Sequence, residues 1–202
     1  MAAAQPSTAK RAQVQQAVLA ATEELLANGI TFQELKIERI ARAAGISRTA
    51  FYFYFKDKRE LLMRLTEDVS GELYSHADVW FSGTGGAPED QVREALDAIS
   101  KLYFEHGPLL RAIVELSSYD EEVAVFWRAL LQRFADATRT RIETEQEAGR
   151  APAMPAAATA FALVWMTERT FYQQLVQGCP VPQPDLVEAL DGVWLRSVYG
   201  SC

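Results

Sequence analysis

Cysteine and histidine are scarce in this chain, which has two of each among 202 residues. Cys179 and Cys202 have neither a metal-binding nor a redox spacing, and a single distant pair is a poor disulfide framework. His76 and His106 also fall in no metal-ligand motif. We therefore expect no metal site and no cofactor, and we predict that both cysteines are packing or surface thiols.

Long apolar runs are missing as well. No segment approaches the roughly 18 consecutive apolar residues of a membrane span, and the first residues, MAAAQPSTAKRAQ, lack the apolar stretch of a secretory signal. Since 49% of the residues are hydrophobic and 23% are charged, the chain can bury a core and stay soluble. We expect a cytoplasmic protein without a membrane partner, in which residues 1–8 form a disordered tail.

Motifs for catalysis are also lacking. Gly83, Gly85 and Gly86 have neither the preceding strand nor the lysine of a phosphate-binding loop. No nucleophile motif accompanies either histidine. The sequence therefore predicts that the protein is not an enzyme and has no catalytic residues.

Charge is unevenly distributed along the chain, although the formal net charge is −7. Residues 1–60 contain nine Lys or Arg against six Asp or Glu, a net charge of +3, and the remaining residues carry −10. A small basic segment on an acidic body fits a DNA-binding segment whose body does not touch the phosphates. Chance variation in composition would explain the charge distribution equally well, so the charge distribution alone does not establish DNA binding.

The hydrophobic pattern has a helical period nearly everywhere. Leu65, Val69 and Leu73, for example, recur at four-residue spacing, and no segment alternates convincingly as a strand would. The predicted fold class is all-α, with about nine helices, of which about six follow residue 58. Four breaks rich in Gly and Pro lie in this part of the chain, at residues 82–88, 107–108, 148–155 and 178–184.

The segment LKIERIARAAGISRTAFYFYFKDK, residues 35–58, predicts two short helices joined by a tight turn. Ile40 and Ala41 mark the buried face of the first helix. Gly45 can adopt the positive φ of the turn, and Ser47 can cap the second helix by accepting a backbone N–H. This is the arrangement of a helix-turn-helix.

Five consecutive aromatic residues lie on the second of these helices. Phe51 and Phe55, four residues apart, are predicted to face the core. Tyr54 and Lys58 are placed to bind phosphates. The side chains on the outer side include a guanidinium suited to guanine and a ring suited to a thymine methyl, which predicts a recognition helix. They are Arg48, Thr49, Tyr52 and Phe53.

Residues 45–58, GISRTAFYFYFKDK, resemble the signature of TetR-family transcriptional repressors. The resemblance implies a homodimer of all-helical subunits, each with a helix-turn-helix DNA-binding domain at residues 1–57 and a ligand-binding and dimerisation domain at residues 58–202. It implies that a small hydrophobic effector releases the protein from double-stranded operator DNA. By the same resemblance Arg48, Thr49 and Phe53 contact bases, whereas Tyr52, Tyr54 and Lys58 contact phosphates.

Two positions depart from the family pattern. Ala50 stands where the family often has a hydroxyl residue, and Lys36 stands where it usually begins the second helix with Thr. Lys cannot cap a helix, but Thr31 and Glu34 have capping-box spacing, so we expect a turn there and regard Lys36 as a phosphate contact. The candidate DNA-binding residues are Lys36, Ser47, Arg48, Thr49, Tyr52, Phe53, Tyr54 and Lys58.

Aromatic residues crowd three helices of the second domain, which makes these helices candidates for the wall of an apolar ligand cavity, with ordinary core packing as the alternative. The segment LVWMTERTF, residues 163–171, resembles the corresponding helix of the mycobacterial ethionamide-response repressors, a TetR branch with a long hydrophobic tunnel. There, amides bind the ligand from the positions of Val164 and Thr167, so we expect fewer hydrogen bonds here. Glu168 and Arg169 either form a structural ion pair, which we favour, or orient the ligand. The candidate ligand-binding residues are Phe104, Trp127, Phe134, Phe161, Val164, Trp165, Thr167, Glu168 and Phe171.

The last predicted helix carries an apolar stripe. Its members are Leu186, Val187, Leu190, Val193, Trp194 and Val198. Since the family dimerises through its two C-terminal helices, we expect the stripe to join two subunits, with burial inside one subunit as the alternative. The resulting hypothesis is a ligand-responsive repressor. A transcriptional activator of the same fold, or a lipophilic-ligand carrier that no longer reads an operator, are the alternatives.

Overall fold

The computed structural model describes residues 8–84 and 86–200. In these ranges the chain forms nine α-helices and no strand, which confirms the predicted all-α class and the number of helices. Of the tail expected at residues 1–8, only Thr8 lies within the described residues, where it begins the first helix. The helices are α1 (Thr8–Ala27), α2 (Ile37–Ala43), α3 (Arg48–Phe51), α4 (Lys58–Phe81), α5 (Pro88–Glu105), α6 (Gly107–Ser117), α7 (Glu121–Glu147), α8 (Ala156–Gln177) and α9 (Gln183–Tyr199).

Helices α1 to α3 form a small unit, called the head here (residues 8–57), around one apolar core. Ile40, Ala41, Phe51 and Phe55 are between 0% and 2% exposed. The rings of Phe51 and Phe55 pack with centroids 5.5 Å apart. The inward orientation predicted for both rings is therefore confirmed.

Local turn chemistry sets the path of the chain between α2 and α3. Gly45 has a φ of +70°, a conformation that costs residues with a Cβ about 1 kcal/mol or more. Ser47 Oγ accepts a hydrogen bond from the Ala50 N–H at 3.0 Å and so caps α3. Both features agree with the sequence prediction of a helix-turn-helix.

The turn before α2 has the reciprocal bonds of a capping box. Thr31 N donates to Glu34 Oε2 at 3.3 Å, and Glu34 N donates to Thr31 Oγ1 at 3.4 Å. Lys36, at the N-cap of α2, makes no capping bond with its side chain. The substitution of a capping residue by Lys is thus accompanied by a separate turn just upstream, as predicted.

Helices α4 to α9 form a larger unit, called the body here (residues 58–200). Helix α7 packs along α8, α4 packs along α5 and α7, and α9 packs against α5. Asp57 caps α4, because its Oδ1 accepts from the N–H groups of Arg59 at 2.8 Å and Glu60 at 2.9 Å. The 24 residues of α4 span about 36 Å. This helix therefore reaches from the head deep into the body.

The apolar stripe of α9 is buried inside its own subunit. Its buried members are between 1% and 8% exposed, because α9 lies against α5. The expectation that this stripe joins two subunits is therefore corrected, and any interface on α9 must use another face. These buried residues are Leu186, Val187, Leu190, Trp194 and Val198.

Cys179 is an exposed free thiol in the turn after α8, as predicted, whereas Cys202 lies outside the described residues. Over residues 8–84 and 86–200, no helix is both long and apolar enough to cross a bilayer. The same residues contain no group of three or more His, Cys, Asp or Glu side chains arranged to hold a metal ion.

Candidate functional site

The side chains predicted to face DNA form one surface on α3 and the turn that follows it. Tyr52 and Phe53 are 47% and 73% exposed, a large exposure for aromatic residues, which are usually well buried. Arg48 and Thr49 border the same shallow concavity. We call these four residues the recognition surface. It presents a guanidinium, a hydroxyl, a phenol and a phenyl ring, which suit the edges of bases in a major groove.

Arg48 is paired within the head. Its Nη1 lies 2.7 Å from Glu38 Oε1, and the two side chains are 61% and 49% exposed. A hydrogen bond with Tyr52 and the charge of Glu38 raise the pKa of Arg48 further, so the guanidinium stays charged. Because an exposed ion pair contributes only about 0–1 kcal/mol, Arg48 can exchange Glu38 for an acceptor on DNA at little cost.

Lys58 is placed differently from the phosphate contact expected of it. Its Nζ donates to the carbonyl oxygens of Phe32 at 2.8 Å, Gln33 at 3.3 Å and Leu35 at 3.4 Å. It also lies 4.7 Å from the centroid of the Phe32 ring. Partial burial lowers the pKa of Lys58. In this arrangement Lys58 fastens the turn before α2 to the first turn of α4.

The other candidate phosphate contacts differ in exposure. Lys36 is exposed at the start of α2, whereas Tyr54 is half-buried against the head core. Ser47 is exposed, but its hydroxyl oxygen already caps α3. None of these three residues borders the concavity of the recognition surface.

One arginine connects the start of α4 to the start of α7. Arg59 Nη1 donates to Asp120 Oδ2 at 2.9 Å, and its Nη2 donates to Asp57 Oδ2 at 3.0 Å. Asp120 Oδ1 accepts the Val123 N–H at 3.2 Å and caps α7. The hydrogen bond from Arg59 is the main cause that lowers the pKa of Asp120. The caps of two helices therefore share one cation, which ties the position of α4 to that of α7.

Two further polar contacts cross from the head to the body. Gln33 Nε2 donates to the Tyr119 hydroxyl at 3.4 Å. Glu23 of α1 pairs with His106 at the junction of α5 and α6. Together with the Arg59 contacts, they make the position of the head depend on the positions of α6 and α7.

A cavity of about 100 Å³ lies in the middle of the body. All six helices from α4 to α9 contribute side chains to its wall, and nearly all of these are aliphatic or aromatic. Pockets for drug-sized ligands have volumes of roughly 300–1,000 Å³. In this conformation the cavity therefore suits a small apolar molecule.

Glu168 is the one acidic residue among the described residues of the cavity wall. Its side chain is 4% exposed, and neither carboxylate oxygen has a hydrogen-bond partner in the described structure. Arg169 Nε lies 3.7 Å from Glu168 Oε2, which is too far for a hydrogen bond. Burial raises the pKa of Glu168 to about 7 against the opposing charge of Arg169. The ion pair favoured from the sequence is thus weak, and Glu168 faces the cavity.

Three neutral polar groups of the cavity wall are also buried without partners in the described structure. They are Tyr103 Oη, Trp127 Nε1 and Thr138 Oγ1. Burial, and then the charge of Glu168, raise the pKa of Tyr103, so its phenol is neutral. A buried polar group without a partner costs about 1–3 kcal/mol, and native cores keep few of them. Their concentration around one cavity indicates a binding site.

The structure separates the nine predicted ligand-binding residues into two groups. Phe104 does not line the cavity; its ring packs edge-on against the ring of Phe171, with centroids 6.1 Å apart. Phe161 is 53% exposed, and Trp165, four residues later on the same face of α8, lines a separate surface groove. The expectation that these three line the cavity is corrected. The other six do line it: Trp127, Phe134, Val164, Thr167, Glu168 and Phe171.

Thr167 does not offer a free hydroxyl to the cavity. Its Oγ1 donates to the Leu163 carbonyl at 2.8 Å and accepts from Trp194 Nε1 at 2.9 Å. Val164 has no polar atom in its side chain. On α8, the unpaired polar group of the wall is therefore the carboxylate of the neighbouring Glu168, and not a side chain at the two positions named from the resemblance.

Four aromatic cavity residues are absent from the predicted ligand-binding residues: Trp80, Phe81, Tyr103 and Trp194. The only signal for Trp80 is its helical spacing after Leu73 and Ala77. Such spacing marks a buried face. It does not distinguish the wall of a cavity from a closed core.

The chain matches two family models. The model described as bacterial regulatory proteins, tetR family, matches residues 18–65, and the model described as transcriptional regulator EthR, C-terminal domain, matches residues 92–200. The chain is 32% identical over 188 residues to the HTH-type transcriptional regulator EthR of Mycolicibacterium smegmatis, covering 92% of this chain and 87% of that protein. It is 30% identical over 191 residues to EthR of Mycobacterium tuberculosis, covering 91% and 86%.

Solved structures show the same fold. A putative TetR-family transcriptional regulator from Syntrophomonas wolfei aligns with a TM-score of 0.76 at 15% identity, over 92% of this chain and 95% of that one. An exposed helix-turn-helix on an all-helical body defines a DNA-binding transcriptional regulator. With the family matches, this chain belongs to the TetR family, in the branch that shares the EthR C-terminal domain. The resemblance noted in the sequence is confirmed.

Proposed function

We propose that this regulator is a repressor, which binds operator DNA as a homodimer and is released when a small hydrophobic effector enters the body cavity. It acts in the cytoplasm and catalyses no reaction. The observation that carries the proposal is that one helix, α4, joins an exposed recognition surface to an apolar cavity. Its first turn holds the head through Lys58, and Leu73 and Trp80 near its other end lie in the cavity wall.

On the operator, Arg48, Thr49 and Phe53 contact base edges and specify the sequence. Tyr52 and Tyr54 contact phosphates, as does Lys36 at the start of α2, and these contacts position the head. A phosphate contact by Lys58 would break its bonds to backbone carbonyls. We therefore assign Lys58 mainly to the orientation of the head, with any phosphate contact secondary.

The homodimer forms through α8 and α9, with faces other than the buried stripe of α9. Phe161 and Val176 of α8 are 53% and 41% exposed, and such apolar side chains favour an interface. The dimer holds two recognition surfaces about 34–36 Å apart, the spacing of successive major grooves.

Effector binding acts on DNA binding through α4. A ligand that displaces Leu73 or Trp80 moves α4, and the contacts of Lys58 and Arg59 carry this movement to the head. Because the effector and the operator then favour different conformations, each lowers the affinity for the other by the same factor.

The test is a fluorescence-anisotropy titration against the DNA upstream of the coding sequence and against a shuffled control. If the protein binds the upstream DNA and the shuffled control equally well, its target sequence is selected from a pool of random duplexes. We expect a preferred sequence bound about a thousandfold more tightly than the shuffled one at physiological salt, since specific sites commonly exceed non-specific ones by that much. If no sequence is selected, the repressor hypothesis is contradicted, and the hypothesis of a lipophilic-ligand carrier is favoured instead.

The sign of regulation needs a second measurement, since a repressor and an activator bind DNA alike. Transcription from a promoter that carries the selected site is measured in vitro, with and without the protein. A fall in transcript supports repression. A rise would show that the protein is an activator at that promoter.

A further inference from the structure

The cavity wall contains a carboxylate whose neighbouring cation, Arg169, lies too far away for a hydrogen bond. Glu168 is almost fully buried, and both its oxygens lack hydrogen-bond partners in the described structure. Ionised in this state, a carboxylate loses its hydration and gains little in return, at a cost of several kcal/mol. An ammonium group delivered by a ligand would supply both the missing charge and the missing donors.

The groups around Glu168 favour such a cation. Tyr103 on α5 is neutral, and its free hydroxyl oxygen can accept a hydrogen bond from an ammonium. The same wall contains aromatic side chains, among them Trp127 and Phe171, and cations are attracted to the faces of such rings. Arg169, the neighbouring cation on α8, is about half exposed and makes no hydrogen bond to Glu168.

Apart from Glu168, the described residues of the cavity wall carry no charged side chain. The side chains that α4, α6, α7 and α9 contribute among the described residues have no titratable group, and α5 contributes only Tyr103. This wall suits a hydrocarbon or aromatic body attached to the ammonium. A carboxylate ligand, in contrast, would be repelled by Glu168.

We propose that the effector is a small hydrophobic amine, whose ammonium group pairs with the Glu168 carboxylate while its apolar part fills the cavity. This inference rests on the proposed function for the statement that the ligand is an effector, but the binding site itself does not depend on it. The proposed ion pair also distinguishes the site in this chain from a site in which side-chain amides bind the ligand.

The probes are three six-carbon molecules that differ in the head group: n-hexylamine, 1-hexanol and hexanoate. Short chains are used because the cavity is small. Binding is followed by tryptophan fluorescence, since Trp80, Trp127 and Trp194 lie in the wall. We expect the amine to bind at least tenfold more tightly than the alcohol at pH 8, and hexanoate to bind most weakly.

The dependence on pH separates an ion pair from a neutral hydrogen bond. With a pKa of about 7, Glu168 is roughly one tenth ionised at pH 6 and nine tenths ionised at pH 8, so the affinity for the amine should rise about tenfold. The amine itself stays protonated over this range. The affinity for hexanol should change little or fall. An amine affinity that does not depend on pH would overturn the inference.

The variant Glu168→Gln keeps the size of the side chain and removes its charge. It should lose the preference for the amine over the alcohol and the pH dependence, while Glu72→Gln, at an exposed position of α4, should retain both. Retention of the amine preference in Glu168→Gln would refute the role of Glu168. Should this variant fail to fold, the pH series on the unsubstituted protein still decides the question.

Operator binding distinguishes failure of the inference from failure of the proposed function. If the amine binds as expected but leaves operator affinity unchanged, the site stands and the effector role falls. If hexanol releases DNA and binds more tightly than hexylamine, the proposed function stands and the amine preference is wrong. If none of the three probes binds, the inference is overturned.

Discussion

Replacing Glu168 by Gln should stabilise the protein, and the gain should depend on pH. Burial raises the pKa of Glu168 from its usual 4.5 to about 7. The folded state therefore binds its proton more tightly than the unfolded state, and stability is lost as pH rises from about 4.5 to about 7. At about 1.4 kcal/mol per pKa unit, the cost of the ionised carboxylate reaches about 3 kcal/mol at pH 8. Gln does not ionise and avoids this cost.

The assay is urea unfolding of both proteins at pH 8.0 and pH 5.5, at equal protein concentration because a dimer is stabilised by mass action. The lower pH stays above the isoelectric point of about 5.0, where solubility falls. We expect Glu168→Gln to exceed the original protein in unfolding free energy by about 3 kcal/mol at pH 8 and by about 1 kcal/mol at pH 5.5. The exposed control Glu72→Gln should show neither difference.

Two results would refute this reasoning. A gain that is the same at both pH values would mean that Glu168 does not titrate between them. A loss of stability at pH 8 would mean that the ionised carboxylate has a partner that stabilises it. In either case the cavity would not contain an uncompensated charge, and the amine inference would lose its physical basis.

Further substitutions test the head and its junction with the body. Arg48→Ala should weaken operator binding by about 1–3 kcal/mol in anisotropy titrations and random DNA hardly at all; equal losses would make Arg48 a phosphate contact. Phe51→Ala should reduce the unfolding free energy by about 3–5 kcal/mol in urea, since its ring is fully buried, and a loss below about 1 kcal/mol would contradict the core assignment. Arg59→Met should reduce the factor by which effector weakens operator binding, because it removes the bonds to Asp57 and Asp120, whereas Arg64→Met, exposed on the same helix, should preserve it. An unchanged factor in Arg59→Met would exclude the Arg59 contacts as the route of coupling.

The head could be predicted from the sequence because its determinants are local. Gly45 and Ser47 each fix the backbone within three residues, and the spacing of Phe51 and Phe55 assigns them to one face. Lys58 was the exception. Its partners, among them the Phe32 carbonyl, lie about 25 residues upstream, and a sequence pattern does not reveal which backbone oxygens converge on a side chain.

The body was predicted less well because its features arise from packing between distant helices. The stripe of α9 has the same pattern whether a second subunit or α5 covers it, and here α5 does. The break between α6 and α7 contains neither Gly nor Pro, so it gave no signal except Asp120, whose side chain caps α7. For residue 85 and for the segments outside 8–200, the sequence predictions are not compared with the structure, because these residues lie outside the described ones.

Glu168 departs from the rule that buried polar groups have hydrogen-bond partners, and this departure says more about function than the well-packed core does. The sequence predicts an apolar environment for α8, and in such an environment an acidic residue without a partner lowers stability. Tyr103 and Glu168 are 65 positions apart, so only the fold reveals that both face one cavity and that neither has a hydrogen-bond partner among the described residues. A stability cost that the fold does not offset is expected at a functional site. Glu168→Gln should therefore both stabilise the protein at pH 8 and remove its preference for amines, whereas a surface substitution such as Glu72→Gln should do neither.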